Sequence, residues 1–212
     1  MKRSFIFGAG EETEITVFPA ENDLVIAADG GEEYAKRSGI TPTLFIGDLD
    51  SLEGRPETEN KIILPAEKDD TDTMFAIKHA LECGVSEIFI YGGTGKRLDH
   101  TLANIASAAY CADKGASAFL FGKGYVLTVI KNGGLSFDKG FIGTVSVFPH
   151  GKTASGVTLK GLKYGLFDAK ITPEFPIGVS NEFTGENAEI TVKNGYLTVI
   201  WEQNGKNLPR KI

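Results

Sequence analysis

Two short acidic runs, Gly47-Asp48-Leu49-Asp50-Ser51 and Asp69-Asp70-Thr71-Asp72, have the residue types and spacing to hold a magnesium ion. Asp48 and Asp50 follow an apolar run, Thr43-Leu44-Phe45-Ile46, that reads as a buried strand, and residues two apart in extended backbone point the same way. Carboxylates held side by side repel unless a cation or a shared proton offsets their charge. A divalent ion on a few carboxylates, its shell completed by water and phosphate oxygens, is a common arrangement in phosphoryl transfer. The second run has an alternative role in helix capping. Met74, Ile77, Ala80 and Leu81 follow it at helical spacing, so one of Asp69, Asp70 and Thr71 is expected at the N-cap.

A third polar segment, Gly92-Gly93-Thr94-Gly95-Lys96-Arg97-Leu98-Asp99-His100, follows a strand-like run and opens into a helix. It lacks P-loop spacing, and Gly8-Ala9-Gly10-Glu11-Glu12-Thr13 fails the dinucleotide fingerprint at its last position. Lys96 and Arg97 close to a helix N-terminus suit an anion, with a plain turn and solvated cations as the alternative. Cys83 and Cys111 have neither metal-ligand spacing nor a histidine cluster beside them, so both are expected to be buried or half-buried thiols. His79 and His150 read as structural or solvated.

The elements that must position these groups alternate in the first half. Strand-like runs at 4–7, 24–28, 43–46, 61–64, 87–91 and 116–121 are interleaved with helical patterns at 32–38, 71–83 and 101–114. In the last of these Leu102, Ile105, Ala106 and Ala109 share one face. This alternation predicts an α/β unit over 1–122, three-layered with a mostly parallel sheet, whose polar loops fall at the strand carboxyl ends, where such sheets bind ligands. From 123 to 212 helical periodicity gives way to short strands at 126–130, 135–137, 144–148, 188–192 and 196–201. Asn194-Gly195 between the last two predicts a hairpin, and a compact antiparallel sandwich or barrel is expected.

The 212 residues are 42% hydrophobic, enough for a sizeable core, and the net charge of −6 with no basic block argues against nucleic acid or anionic membranes as partners. No run of apolar residues is long enough to span a bilayer, and the first residues lack a signal-peptide pattern, so a cytoplasmic location is expected.

Six segments occur together and in order: Ala28-Asp29-Gly30-Gly31; Gly47 to Ser51; Lys68 to Asp72; Gly92-Gly93 with Arg97-Leu98-Asp99-His100-Thr101-Leu102-Ala103-Asn104; Gly161-Leu162-Lys163-Tyr164; and Ser180-Asn181-Glu182. In this the sequence resembles the thiamine pyrophosphokinase (thiamine diphosphokinase) family. The resemblance implies a catalytic α/β domain, a β-sandwich that helps bind thiamine, and a homodimer with sites between subunits. It also implies the reaction, an Mg2+-dependent transfer of diphosphate from ATP to the thiamine hydroxyl that yields thiamine diphosphate and AMP.

Carried over position by position, Asp48, Asp50 and Asp72 would hold the metal and act with Arg97 and Asp99 in catalysis. Asp29, Gly30, Gly31, Lys68, Thr71, Gly92, Gly93, Arg97 and His100 would line the nucleotide and phosphate site. Tyr164 would pack on a thiamine ring, Thr158 and Ser180 would reach its polar edge, and Asn181 would support them. The chain departs from the family in having Glu33 where Asn is common, Lys68 where many eukaryotic relatives have Gln, and Tyr164 where Trp is common. A general base is open among Asp99, the metal-site carboxylates and His100, with His100 favoured as an orienting group. Another Mg2+-dependent phosphotransferase or phosphatase, or a ligand sensor without turnover, would keep only part of this pattern.

Overall fold

A computed structural model describes residues 2–48, 56–65, 67–203, 205 and 207–212. The chain divides into two compact units, Met1–Lys123 and Gly124–Ile212.

In the first unit the six strands are β1 (Arg3–Phe7), β2 (Leu24–Ala28), β3 (Leu44–Gly47), β4 (Lys61–Ile63), β5 (Glu87–Tyr91) and β6 (Ser117–Gly122). They lie in the order β6-β5-β1-β2-β3-β4, and every pair is parallel. Phe5, Ile6 and Phe7 of β1 are completely buried. Successive strand side chains point to opposite faces, so both faces of the sheet centre are covered, as continuous apolar strands require. Register places Phe5 beside Phe89 and Phe7 beside Tyr91, with Phe119 and Phe121 next in line. The rings stack, with centroids 4.7 Å apart for Phe5 and Phe89 and 4.3 Å for Tyr91 and Phe121. Each such pair adds about 0.5–1.5 kcal/mol beyond area burial.

Three helices complete this unit: α1 (Gly31–Arg37), α2 (Asp72–Glu82) and α3 (Leu98–Asp113). Thr71 is the N-cap of α2, its hydroxyl accepting from the Met74 amide at 3.1 Å. Helix α3 begins before the expected Thr101, so Asp99 and His100 belong to its first turn. Its buried residues are Asn104, Ser107, Ala108, Ala109 and Cys111, so Ala109 is buried as expected while Leu102 is 59% exposed. The expected face through Leu102 and Ala106 is thus rotated. Small side chains and Asn104 allow the close approach that Leu102 would obstruct. Cys111 is buried as expected, and burial pushes its thiol up to about 12. Cys83 is exposed instead, because it caps the C-terminus of α2 just before Gly84 turns the chain at φ 78°. Among the described residues no helix is long and apolar enough to cross a membrane.

The second unit contains β7 (Tyr125–Phe137), β8 (Thr144–Pro149), β9 (Ala154–Lys160), β10 (Leu166–Ile171), β11 (Asn181–Glu182), β12 (Ala188–Glu202) and β13 (Arg210–Lys211). All their pairings are antiparallel. Strand β12 lies along the whole of β7, pairs β9 with its first half and pairs β8 with its second. Phe137, Phe141, Phe183 and Trp201 meet in the core.

The expected hairpin at Asn194-Gly195 does not form. Val192 pairs with Gly133 and Tyr196 with Lys131, so Lys193 to Gly195 bulge out of a continuous strand opposite Asn132. The Gly195 amide donates to Asn132 Oδ1 at 2.9 Å, and both residues have positive φ, 104° and 45°. The conformational freedom read as a turn is used for a bulge on one strand facing a positive-φ residue on its partner. The same bulge joins the two predicted pairs of short strands into β7 and β12. Strands β9 and β10 arise where the sequence showed no clear alternation.

At Gly31 an added Cβ would lie 1.8 Å from the Phe7 carbonyl oxygen. Gly31→Ala should therefore lower unfolding stability by at least ~2 kcal/mol, despite alanine's better helix propensity. Urea unfolding measures this, and an unchanged midpoint would mean that the β1–α1 junction shifts freely.

Candidate active site

The carboxyl ends of the parallel strands gather the acidic residues. Asp29 closes β2 with φ 51°, and its amide donates to the Ile46 carbonyl at 2.9 Å, which ties the end of β2 to β3. Gly30 is the N-cap of α1 and Gly31 its first residue. Asp48 directly follows β3, and Asp72 is the first residue of α2, where the helix dipole favours a carboxylate. Lys68 joins these two: its ammonium lies 2.7 Å from Asp48 Oδ2 and 3.1 Å from Asp72 Oδ1. Asp50 lies outside the described residues.

Asp72 is held above the usual carboxylate range, first by burial and then by the charges of Asp29 and Asp48, with Lys68 opposing. Burial also works against the Lys68 charge, but the hydrogen bond to Asp48 and the ion pair with Asp72 outweigh it and raise its affinity for the proton. Oδ1 of Asp29 and Oδ1 of Asp72 are buried without a directed hydrogen bond from the described residues; the Lys68 contact to the latter is an ion pair. Buried oxygens left in that state cost free energy unless something else meets them.

Beside this cluster, the glycine loop packs backbone against backbone. Gly10 and Glu11 donate to the carbonyls of Gly92 and Thr94 at 2.7 and 2.8 Å. Gly92 has φ 65°, and a Cβ there would stand 2.2 Å from the Gly8 oxygen. Buried Asn104 donates from Nδ2 to the Gly93 carbonyl at 2.7 Å, and Lys96 donates to the Ala9 carbonyl at 2.9 Å. Arg97, Asp99 and His100 are exposed at the start of α3. Arg97 donates to both Asp99 oxygens, at 3.2 and 2.5 Å, and these bonds hold the Asp99 carboxyl down at about 2. The described contacts therefore bring Asp48, Lys68 and Asp72 together, while Arg97 and Asp99 pair with each other.

Sequence reasoning missed several contributors. Glu32 is buried and accepts from the Thr58 amide and hydroxyl, at 2.8 and 2.6 Å, and from the Glu57 amide at 3.1 Å. Those bonds overcome the burial penalty and lower its pKa. No sequence signal separates it from Glu33, which is exposed and paired with Arg37. Asn104 lay within a quoted motif, and Gly8 and Gly10 within a rejected fingerprint.

The second unit has its own pocket of about 240 Å3, lined by Leu159, Tyr164, Leu166, Ile177, Val179 and Asn181 among others. The Tyr164 ring is 60% exposed, with the Lys163 ammonium 5.5 Å from its centre. Asn181, only 2% exposed, fixes the Tyr164 backbone from both sides: Nδ2 donates to its carbonyl at 2.7 Å, and Oδ1 accepts from its amide at 2.9 Å. Thr158, on β9, accepts from the Asp168 amide at 3.2 Å. Ser180 adopts φ 55° and donates its amide to Ser146 Oγ at 3.0 Å. These two do not line the pocket as Tyr164 and Asn181 do.

Residues 18–120 match the model of the thiamin pyrophosphokinase catalytic domain, and residues 134–197 that of the thiamin pyrophosphokinase vitamin B1 binding domain. The chain belongs to the thiamine pyrophosphokinase family. It is 28% identical over 194 residues to the thiamine pyrophosphokinase of Bacillus subtilis (strain 168), across 88% of this chain and 91% of that one. The crystal structure of thiamine pyrophosphokinase from Bacillus subtilis superposes with a TM-score of 0.84 at 25% identity, covering 96% of this chain and all (100%) of that one. The structure from Geobacillus thermodenitrificans gives 0.81 at 26% identity, covering 98% and 100%. Membership makes the chain an enzyme, a thiamine diphosphokinase that moves the diphosphate group of ATP to thiamine.

The Arg97–Asp99 pair yields a pH prediction. The folded-state pKa of Asp99 lies below its ordinary 3.8, so the pair's stabilisation is present above that value and is lost as pH falls through about 2. An NMR titration of the Asp99 carboxyl should show its midpoint near the lower value in the wild type and close to the ordinary one in Arg97→Ala.

Proposed function

We propose that Asp48, Asp50 and Asp72 hold Mg2+ for the transfer of diphosphate from ATP to thiamine, and that the two units supply the nucleotide and thiamine sites respectively. The observation that carries this reading is the convergence of Asp48 and Asp72 on one cation, the Lys68 ammonium, at the carboxyl edge of a parallel sheet. Hard carboxylate oxygens, one of them buried and met only by an ion pair, suit Mg2+. Among the described residues no three acidic, histidine or cysteine side chains form a complete cation site; in this reading Asp50 supplies the remaining ligand.

Bound Mg2+ would offset charge on the phosphate oxygens. The chain's own residues do the rest. The thiamine hydroxyl oxygen bonds to the β-phosphorus as the bond to the α–β bridging oxygen breaks and the hydroxyl proton passes to solvent, so negative charge moves onto departing AMP. In this reading Arg97, with its planar fork, and Lys96 meet that charge, and the amides opening α2 and α3 present further donors. Asp29, Thr71 and the Gly30-Gly31 and Gly92-Gly93 turns shape the nucleotide site. Asp99, with its proton affinity pushed so low, is a poor base, and its role is to orient Arg97. His100 is an orienting group, since a loose transition state needs little base assistance. In the second unit Tyr164 offers its ring face to thiamine and Asn181 holds Tyr164 in place, while Thr158 and Ser180, outside the lining of the Tyr164 pocket, would meet the substrate's polar edge only where it extends beyond that pocket. The exposed Phe167, Phe175, Ile177 and Val179 nearby support a homodimer whose sites lie between subunits. We place the enzyme in the cytoplasm, where ATP is made available.

Asp48→Asn, Asp50→Asn and Asp72→Asn should each remove most production of thiamine diphosphate and AMP while leaving a folded protein, since relief of carboxylate repulsion offsets lost contacts. Wild-type rates at low Mg2+ in all three variants would rule out the metal assignment. AMP as the second product also separates this enzyme from kinases and phosphatases that release ADP or phosphate.

Tyr164→Ala should weaken thiamine binding by on the order of 1–2 kcal/mol, the worth of a stacked ring and its buried area, with little effect on an ATP analogue. Calorimetric titration with each ligand distinguishes a lost contact from a general loss of structure.

A further inference from the structure

We propose that Lys68 is a resident counter-cation of the carboxylate cluster, one that suppresses binding of a free divalent ion and makes the nucleotide the carrier of the metal. The inference rests on the reading of Asp48 and Asp72 as metal ligands. The Lys68 ammonium touches one oxygen of each, at 2.7 and 3.1 Å, and the three side chains are 15%, 17% and 21% exposed. Asp29 adds a third negative charge that Asp72 feels. Any cation seeking Asp48 Oδ2 and Asp72 Oδ1 together needs oxygens that the ammonium already engages. A neutral glutamine in place of Lys68 could donate a hydrogen bond but could not neutralise charge.

Lysine also has a flexible stem and a compact charge, so its ammonium can leave the carboxylates for a phosphate without disturbing the backbone. In the free enzyme Lys68 would hold Asp48 and Asp72 together. When ATP arrives with its own divalent ion, Lys68 would exchange two carboxylate contacts for phosphate contacts. The neighbouring Lys78–Asp70 pair gives a built-in comparison. Its ammonium meets a single carboxylate at 2.6 Å and is more exposed, at 37%, so it should not govern metal affinity.

The test is Mn2+ binding to the nucleotide-free, full-length protein, followed by the electron paramagnetic resonance signal of the free ion. Lys68→Met should bind Mn2+ about tenfold more tightly than wild type, as expected for removing a nearby unit charge at a partly buried site. Lys68→Arg and Lys78→Met should match wild type. Equal or weaker binding by Lys68→Met would overturn the proposal, as would equal tightening in Lys78→Met, which would indicate general charge rather than the bridge. Asp48→Asn combined with Lys68→Met should abolish the gain. Full affinity retained in that double variant would overturn the metal-ligand reading itself. If Lys68→Met folds poorly, Lys68→Gln takes its place, with Mn2+ expected to raise its melting temperature more than that of wild type. An equal rise would again count against the proposal.

Discussion

Strand β1 is hydrogen-bonded on both edges and buried on both faces, and the first unit depends on that position. Its parallel partners β2 and β5 leave their carboxyl ends on the same edge of the sheet. The loops that follow must therefore crowd together, and space decides which residues can be used. Gly8, Gly10, Gly31 and Gly92 sit where an added Cβ would come within 3 Å of a neighbouring carbonyl oxygen. Asn104 and Glu32 then satisfy or anchor backbone that this crowding leaves without ladder partners.

Crowding has an electrostatic side. Asp29, Asp48 and Asp72 are brought to one edge, and only partial compensation comes from Lys68. A fold selected for stability alone would place apolar or neutral groups there, because a buried charge cluster seldom stabilises as well as packed side chains do. Local rules are broken in this way where function requires it. The second unit shows a milder case: Tyr164 presents an exposed aromatic face, while buried Asn181 spends its hydrogen bonds on holding the Tyr164 backbone.

Much of this was legible in the sequence. Apolar runs bounded by Asp and Gly mark parallel strands and their loops, so Asp29, Asp48, Asp72 and the Gly92 turn could be placed at strand ends. A cap among Asp69, Asp70 and Thr71 could be read from the apolar spacing behind them, and the bond from the Met74 amide identifies it as Thr71. Three features could not be read, for different reasons. Asn-Gly serves equally in a turn and in a bulge, and only the pairing of Val192 and Tyr196 across β7 decides between them. The buried face of α3 depends on small residues approaching the sheet, which an apolar count overlooks. Glu32 and Glu33 are identical in type and adjacent, and tertiary contacts alone make one a buried acceptor and the other a surface ion pair.

The two cysteines differ in a way that has practical use. Cys111 is shielded, and its thiol ionises only near 12, whereas Cys83 is open to solvent at the C-terminal cap of α2. Maleimide chemistry on the folded protein at neutral pH would mark Cys83 and spare Cys111. The opposite end of that helix presents Thr71 and Asp72. A fluorophore or spin label on Cys83 would therefore report, without any engineered mutation, on movements of the helix that carries one end of the acidic cluster.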